Sequence, residues 1–136
     1  MTWINFFVVT GNQIVCHLIG DYIFQSNWMA LNKVKSYNAC FCHALVYSMP
    51  FLFLSPSLAA IAFIFASHFI VDRFSLAKYI CWVTNFLGPP GLNPPFHECR
   101  QSGYPPELPA WLSTWLLIIT DNTIHLLCNG FALTYL

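Results

Sequence analysis

Between Pro56 and Trp82 the chain reads PSLAAIAFIFASHFIVDRFSLAKYICW, and from Leu58 to Ala66 it is apolar without interruption. A run this long and apolar predicts a membrane-spanning helix. Its second half nevertheless carries His68 and Asp72, which at a four-residue spacing stack on one helical face. Ionisable groups inside a span are costly and are functional by default. The same device recurs as His17 with Asp21 and as Asp121 with His125. The chain has only three Asp, and each has a His four residues away. With five His in 136 residues, three such coincidences have a chance of roughly 4 in 10,000 if helical spacing is what matters. The rest of the chain is a frame for these pairs.

Composition bounds what that frame can be. Charged residues make up 7% and hydrophobic residues 57%, whereas a soluble domain carries about 25% charged residues. Such a chain cannot cover itself with a solvated surface, so an integral membrane protein of one domain, residues 1–136, is expected. The net charge of zero leaves no basic footprint, which excludes nucleic acid as a partner. The six Cys form no CxxC motif and no disulfide framework, and five lie in or beside apolar segments, where a Cys acts as a small buried hydrophobe. The opening MTWINFFVVT has no Lys or Arg and soon meets Asn12, Gln13 and His17, unlike a cleaved signal peptide.

Periodicity and punctuation predict an all-α, four-helix membrane bundle with helices at about 3–25, 39–54, 56–82 and 111–134. In the first, Gln13, His17, Asp21 and Gln25 fall on one i, i+4 stripe and leave Phe, Val, Ile and Leu for lipid. The connection SNWMALNKVKSYN carries Lys33, Lys35 and a short interfacial helix around Trp28. Pro50 should kink the second helix, which has His43 near its start. Residues 84–109 hold seven of the nine Pro and cannot be helical throughout; a loop this long suits a lid. All five Lys and Arg lie in the first and third connections or the helix ends beside them. The positive-inside rule then places both termini away from the cytoplasm and the Pro-rich loop within it.

That topology brings the pairs together. Helices one and three read His then Asp, and helix four, running back, reads Asp then His, so every Asp lies on the cytoplasmic side with its His one turn deeper. His43 lies in the same half. The expected ligands are therefore His17, Asp21, His43, His68, Asp72, Asp121 and His125, with Gln25 and Asn129 as neighbours. Clustered carboxylates in a low dielectric need compensating cations. Imidazole with carboxylate suits zinc foremost, then manganese or iron, and seven ligands suffice for one or two ions. Asp21, Asp72 and Asp121 are the candidates for catalytic roles, and Arg73 and Arg100 for binding an anionic group of the substrate. The structural alternative, three His–Asp hydrogen bonds gluing helices together, offers only about 0.6–2 kcal/mol each in a membrane.

The stretches HLIGDYIFQSNWMA, ACFCHAL, HFIVDRFSLAKY and GYPPELPAWLSTWLLIITDNTIHLL resemble the short bacterial and phage membrane proteins grouped as domain-of-unknown-function family 3307. The His-x-x-Gly-Asp opening is also similar to families described as membrane-bound metal-dependent hydrolases. These resemblances imply a bacterial inner-membrane protein, with His17 and Asp21 as ligands and a phage accessory role as one setting. The expected function is a metal-dependent hydrolase acting on a membrane-associated substrate such as a lipid phosphoester. Two rivals stand beside it: a small transporter or proton-coupled channel, and a non-enzymatic membrane interaction protein. The long polar stripe of the first helix favours a path, but no ionisable side chain continues it past Asn12 toward the N-terminus.

Overall fold

The computed structural model describes residues 9–136. The part of the first expected helix that lies in residues 1–8 falls outside them. All regular structure among the described residues is helical, in two compact units: one reaching to Phe74 and taking in His125–Leu136, the other Ser75–Ile124.

In the first unit, α1 (Gly11–Leu18) starts where the Thr10 hydroxyl accepts the Gln13 N–H at 3.2 Å, which satisfies one of the open donors of a helix start. It passes directly into a π turn, Ile19–Ile23, where Phe24 N–H reaches the Ile19 carbonyl at 2.9 Å. Ser26 and Ser36 cap α2 (Asn27–Asn32) and α3 (Tyr37–Ser48) in the same way as Thr10. Pro50 has the effect expected of a residue lacking an N–H: from Met49 to Leu54 the α-helix tightens to a 3-10 helix, which ends at Ser55 with φ of 51°. α4 (Leu58–Phe74) begins where Ser57 accepts from Ala60 N–H. The last part of α6 (Ala110–Tyr135) completes the unit.

The core of this unit is small in volume, with Cys16, Tyr47, Phe51, Ala60, Ile64 and Ala132 at its centre. Small residues let backbones approach, and Gly20 is the extreme case: a Cβ there would lie 2.6 Å from the Tyr47 carbonyl oxygen. Polarity is inverted relative to a soluble domain. Gln13, His17, Asp21, His43, His68, Asp72, His125 and Asn129 are buried, while Phe53, Leu58, Phe41 and Leu45 are exposed. Tyr37–Leu54 and Ala110–Tyr135 are long and apolar enough to cross a membrane, and Leu58–Phe74 with Leu76–Leu87 would make a third span if a broken one is allowed.

The expected continuous helix 56–82 is interrupted. Ser75 takes a left-handed conformation, φ 49° and ψ 51°, and α5 (Leu76–Thr84) starts after it. In the second unit the Pro-rich stretch is folded onto α5. Trp82 Nε1 donates to the Pro94 carbonyl at 3.0 Å, Asn85 Nδ2 donates to the Gly103 carbonyl at 2.9 Å, and Phe96 packs on Tyr79 and Trp82. Gly103 has φ of 85°, and a Cβ would collide with the Lys78 carbonyl oxygen, the Cys81 Cβ and the Trp82 backbone nitrogen. Seven prolines fix the path of this stretch without a helix because they supply no N–H to a helical ladder.

Candidate metal centre

Four ligand atoms converge inside the first unit: Asp21 Oδ1 from the π turn, His43 Nε2 from α3, and His68 Nε2 and Asp72 Oδ2 from α4. All four residues are buried. His43 Nε2 lies 3.1 Å from Asp21 Oδ1, 3.1 Å from Asp72 Oδ2 and 3.0 Å from His68 Nε2. His68 Nε2 lies 3.2 Å from Asp72 Oδ2 and 3.9 Å from Asp21 Oδ1.

Hydrogen bonding accounts poorly for this packing. A ring nitrogen offers one proton or one lone pair, yet His43 Nε2 faces three cluster atoms at close range. Asp72 Oδ2 has three nitrogens within 2.9–3.2 Å, counting Lys33 Nζ, and none is aligned as a hydrogen bond. Atoms directed at a common point behave this way. Zinc bonds of about 2.0–2.2 Å in a tetrahedron set ligand–ligand edges of about 3.3–3.6 Å. The five edges given above run from 3.0 to 3.9 Å, which brackets that range. The donor set of two imidazoles and two carboxylates suits zinc, manganese or iron. These four residues can hold a divalent ion.

Surrounding groups fix the cluster. His125 Nε2 lies 3.2 Å from Asp72 Oδ1 and orients the second oxygen of that carboxylate. The Tyr47 ring stacks on His68 with centroids 3.5 Å apart and planes 16° from parallel. The Tyr47 hydroxyl accepts from Asn129 Nδ2 at 2.6 Å and lies 2.9 Å from His17 Nδ1. Metal-binding histidines ordinarily have a hydrogen bond on the other ring nitrogen. Here Nδ1 of His43 and of His68 is buried with no partner among the described residues, so for His68 stacking takes the place of that bond.

The expected residues are thus sorted by the structure. Asp21, His43, His68 and Asp72 meet, and His125 reaches Asp72. His17 is buried beside them, with Nδ1 2.9 Å from the Tyr47 hydroxyl. The π turn shifts Asp21 around the axis relative to an α-helical spacing. Asn129 acts through Tyr47, and Gln25 is half-buried, its Oε1 without a partner among the described residues. Asp121 is half-buried one turn before His125. The Arg73 guanidinium lies 4.1 Å over the Tyr37 ring and donates to the Val34 carbonyl. Arg100 is exposed in the second unit.

Two participants escaped the sequence reasoning. Lys33, expected only as a charge of the first connection, has its ammonium 2.9 Å from Asp72 Oδ2, 3.4 Å from His43 Nε2 and 3.8 Å from Asp21 Oδ1. Nothing in NKVKSYN separates it from Lys35, which is exposed. Tyr47 did leave a signal, since it follows His43 by four residues on α3 and therefore shares its face.

No curated protein and no solved structure matches the chain. One family, described as "Protein of unknown function (DUF3307)", matches residues 9–88, a range that includes Asp21, Lys33, His43, Tyr47, His68 and Asp72. The chain therefore belongs to the DUF3307 family.

Proposed function

We propose that this protein is an integral membrane metalloenzyme that hydrolyses a membrane-associated substrate, a phosphoester by preference. The observation that carries the reading is the convergence of Asp21, His43, His68 and Asp72, buried and brought from three separate elements, on one point. Four crossing segments with both termini away from the cytoplasm, in a bacterial inner membrane, would suit an apolar exterior around a polar interior. A divalent ion held by these four residues would have to expand to a fifth position to take a water, and it would then lower that water's pKa and polarise a phosphoryl oxygen.

The protein's own residues would divide the remaining work. Asp72 is engaged on both oxygens, by His125 on one side and by His43 and His68 on the other, and acts as the fixed ligand. Asp21, whose Oδ1 is the atom turned to the site and lies 3.1 Å from His43 Nε2, would accept the water's proton on its other carboxylate oxygen. Tyr47 keeps the His68 ring in plane. Asp121, at helical spacing from His125, is retained as a further ligand or proton carrier on that spacing. Arg73, whose Nε has no partner among the described residues, and Arg100 are assigned to an anionic substrate group. The test is hydrolysis of lipid and soluble phosphoesters by protein reconstituted in liposomes. Zinc- or manganese-dependent turnover that is lost in Asp72→Asn supports the reading, and turnover retained in that variant refutes it.

A second reading, proton-coupled transport, draws on the buried polar chain of Asn129, Tyr47 and His17, with Gln13 donating to the Leu126 carbonyl at 2.7 Å. Such a chain resembles a relay. Proton flux in the same liposomes, abolished by Tyr47→Phe, would favour it over hydrolysis.

A further inference from the structure

Lys33 occupies a revealing position. Its ammonium is within 4 Å of three of the four converging ligand atoms, Asp72 Oδ2, His43 Nε2 and Asp21 Oδ1. Two buried carboxylates need positive charge beside them, and without a metal ion this ammonium supplies it. A divalent ion bound by the same oxygens would add two further positive charges within a few ångströms of Nζ. Like charges that close, screened by little water, repel strongly. The ammonium and the ion are therefore alternatives.

The surrounding chain is built for Lys33 to leave. It is the C-cap of α2, a six-residue helix that buries none of its side chains. A segment with so few buried contacts moves at low cost. The side chain is a flexible four-carbon stem, and at 19% exposure it already borders the outside of the cluster.

We propose that Lys33 is a displaceable internal cation: its ammonium holds Asp21 and Asp72 in the metal-free protein and swings out when a divalent ion enters. The proposal rests on the metal-centre reading and adds its regulation. Lys33 sets the metal concentration at which the site fills, because each ion must displace it. It also keeps the two carboxylates from parting while the site is empty.

The test is site-resolved acetylation of the full-length protein in detergent with an amine-reactive reagent, read by peptide mass spectrometry, with the neighbouring Lys35 as internal standard. In chelator-stripped protein Lys33 reacts about tenfold or more slowly than Lys35, because the ion pair engages it. With saturating zinc the two rates converge. Zinc content is measured on the same samples. Bound zinc with Lys33 still protected overturns the displacement and leaves the metal centre standing. Absence of bound zinc overturns the metal centre and the displacement together. Lys33 as reactive as Lys35 in stripped protein overturns the ammonium's placement. In Lys33→Gln, zinc binds about tenfold more tightly, since no competing charge has to leave; unchanged or weaker affinity contradicts the proposal. The labelling arm uses unmodified protein and stands even if that variant fails to fold.

Discussion

Replacing Gly20 by Ala tests the link between helix packing and the site. The new Cβ would lie 2.6 Å from the Tyr47 carbonyl oxygen and 2.9 Å from a ring carbon of the same residue. A tolerable carbon–oxygen contact is about 3.3–3.6 Å, so the π turn and α3 must part by about 0.7–1.0 Å. The obstacle is backbone, which cannot swing aside as a side chain can. Asp21 is the next residue in the π turn, and His43 is one turn from Tyr47 on α3. The same displacement therefore opens the 3.1 Å spacing between Asp21 Oδ1 and His43 Nε2. A metal bond of about 2.1 Å stretched by that much is no longer a bond. The expected cost is about 1–3 kcal/mol of overpacking strain and about a 10–100-fold loss of zinc affinity, the range seen when a ligand's support is removed. Competition against a fluorescent chelator in detergent measures the affinity, and denaturant titration measures the stability. A folded Gly20→Ala protein that binds zinc like wild type would refute the reasoning.

Tyr47→Phe removes the hydroxyl that accepts from Asn129 and pairs with His17 but keeps the ring on His68. It should cost about 1–3 kcal/mol, the penalty for leaving buried polar groups unpaired, while zinc stoichiometry stays at the wild-type value. Parallel unfolding curves and metal analysis check this. In the second unit, Gly103→Ala combines a left-handed φ with a collision against the Lys78 carbonyl. It should release the Pro-rich stretch from α5, so that limited proteolysis cuts within residues 88–109 at a rate wild type does not show.

Regular helices were legible because side-chain position follows spacing. His68 and Asp72 lie within the uninterrupted α4, and their four-residue interval does bring Nε2 and Oδ2 to 3.2 Å. His43 could be placed because an isolated imidazole in an apolar helix must face the interior. His17 and Asp21 have the same interval, yet Asp21 lies in the π turn beginning at Ile19 and meets His43, and no residue type announces a π turn. The break at Ser75 was equally hidden, since a left-handed Ser lacks the Gly or Asn signature that usually marks that conformation. Lys33 was illegible for a different reason. Its place in a short connection marks it only as a charge for orientation, and only tertiary packing could bring its ammonium to Asp72.

Metal content of the detergent-purified protein tests the central claim most directly, with wild type measured beside Asp72→Ala and His43→Ala. Four converging ligand atoms predict about one equivalent of zinc, manganese or iron per chain in wild type, lost in both variants. A folded, monodisperse wild type without bound metal, or variants that retain the full equivalent, would contradict the account.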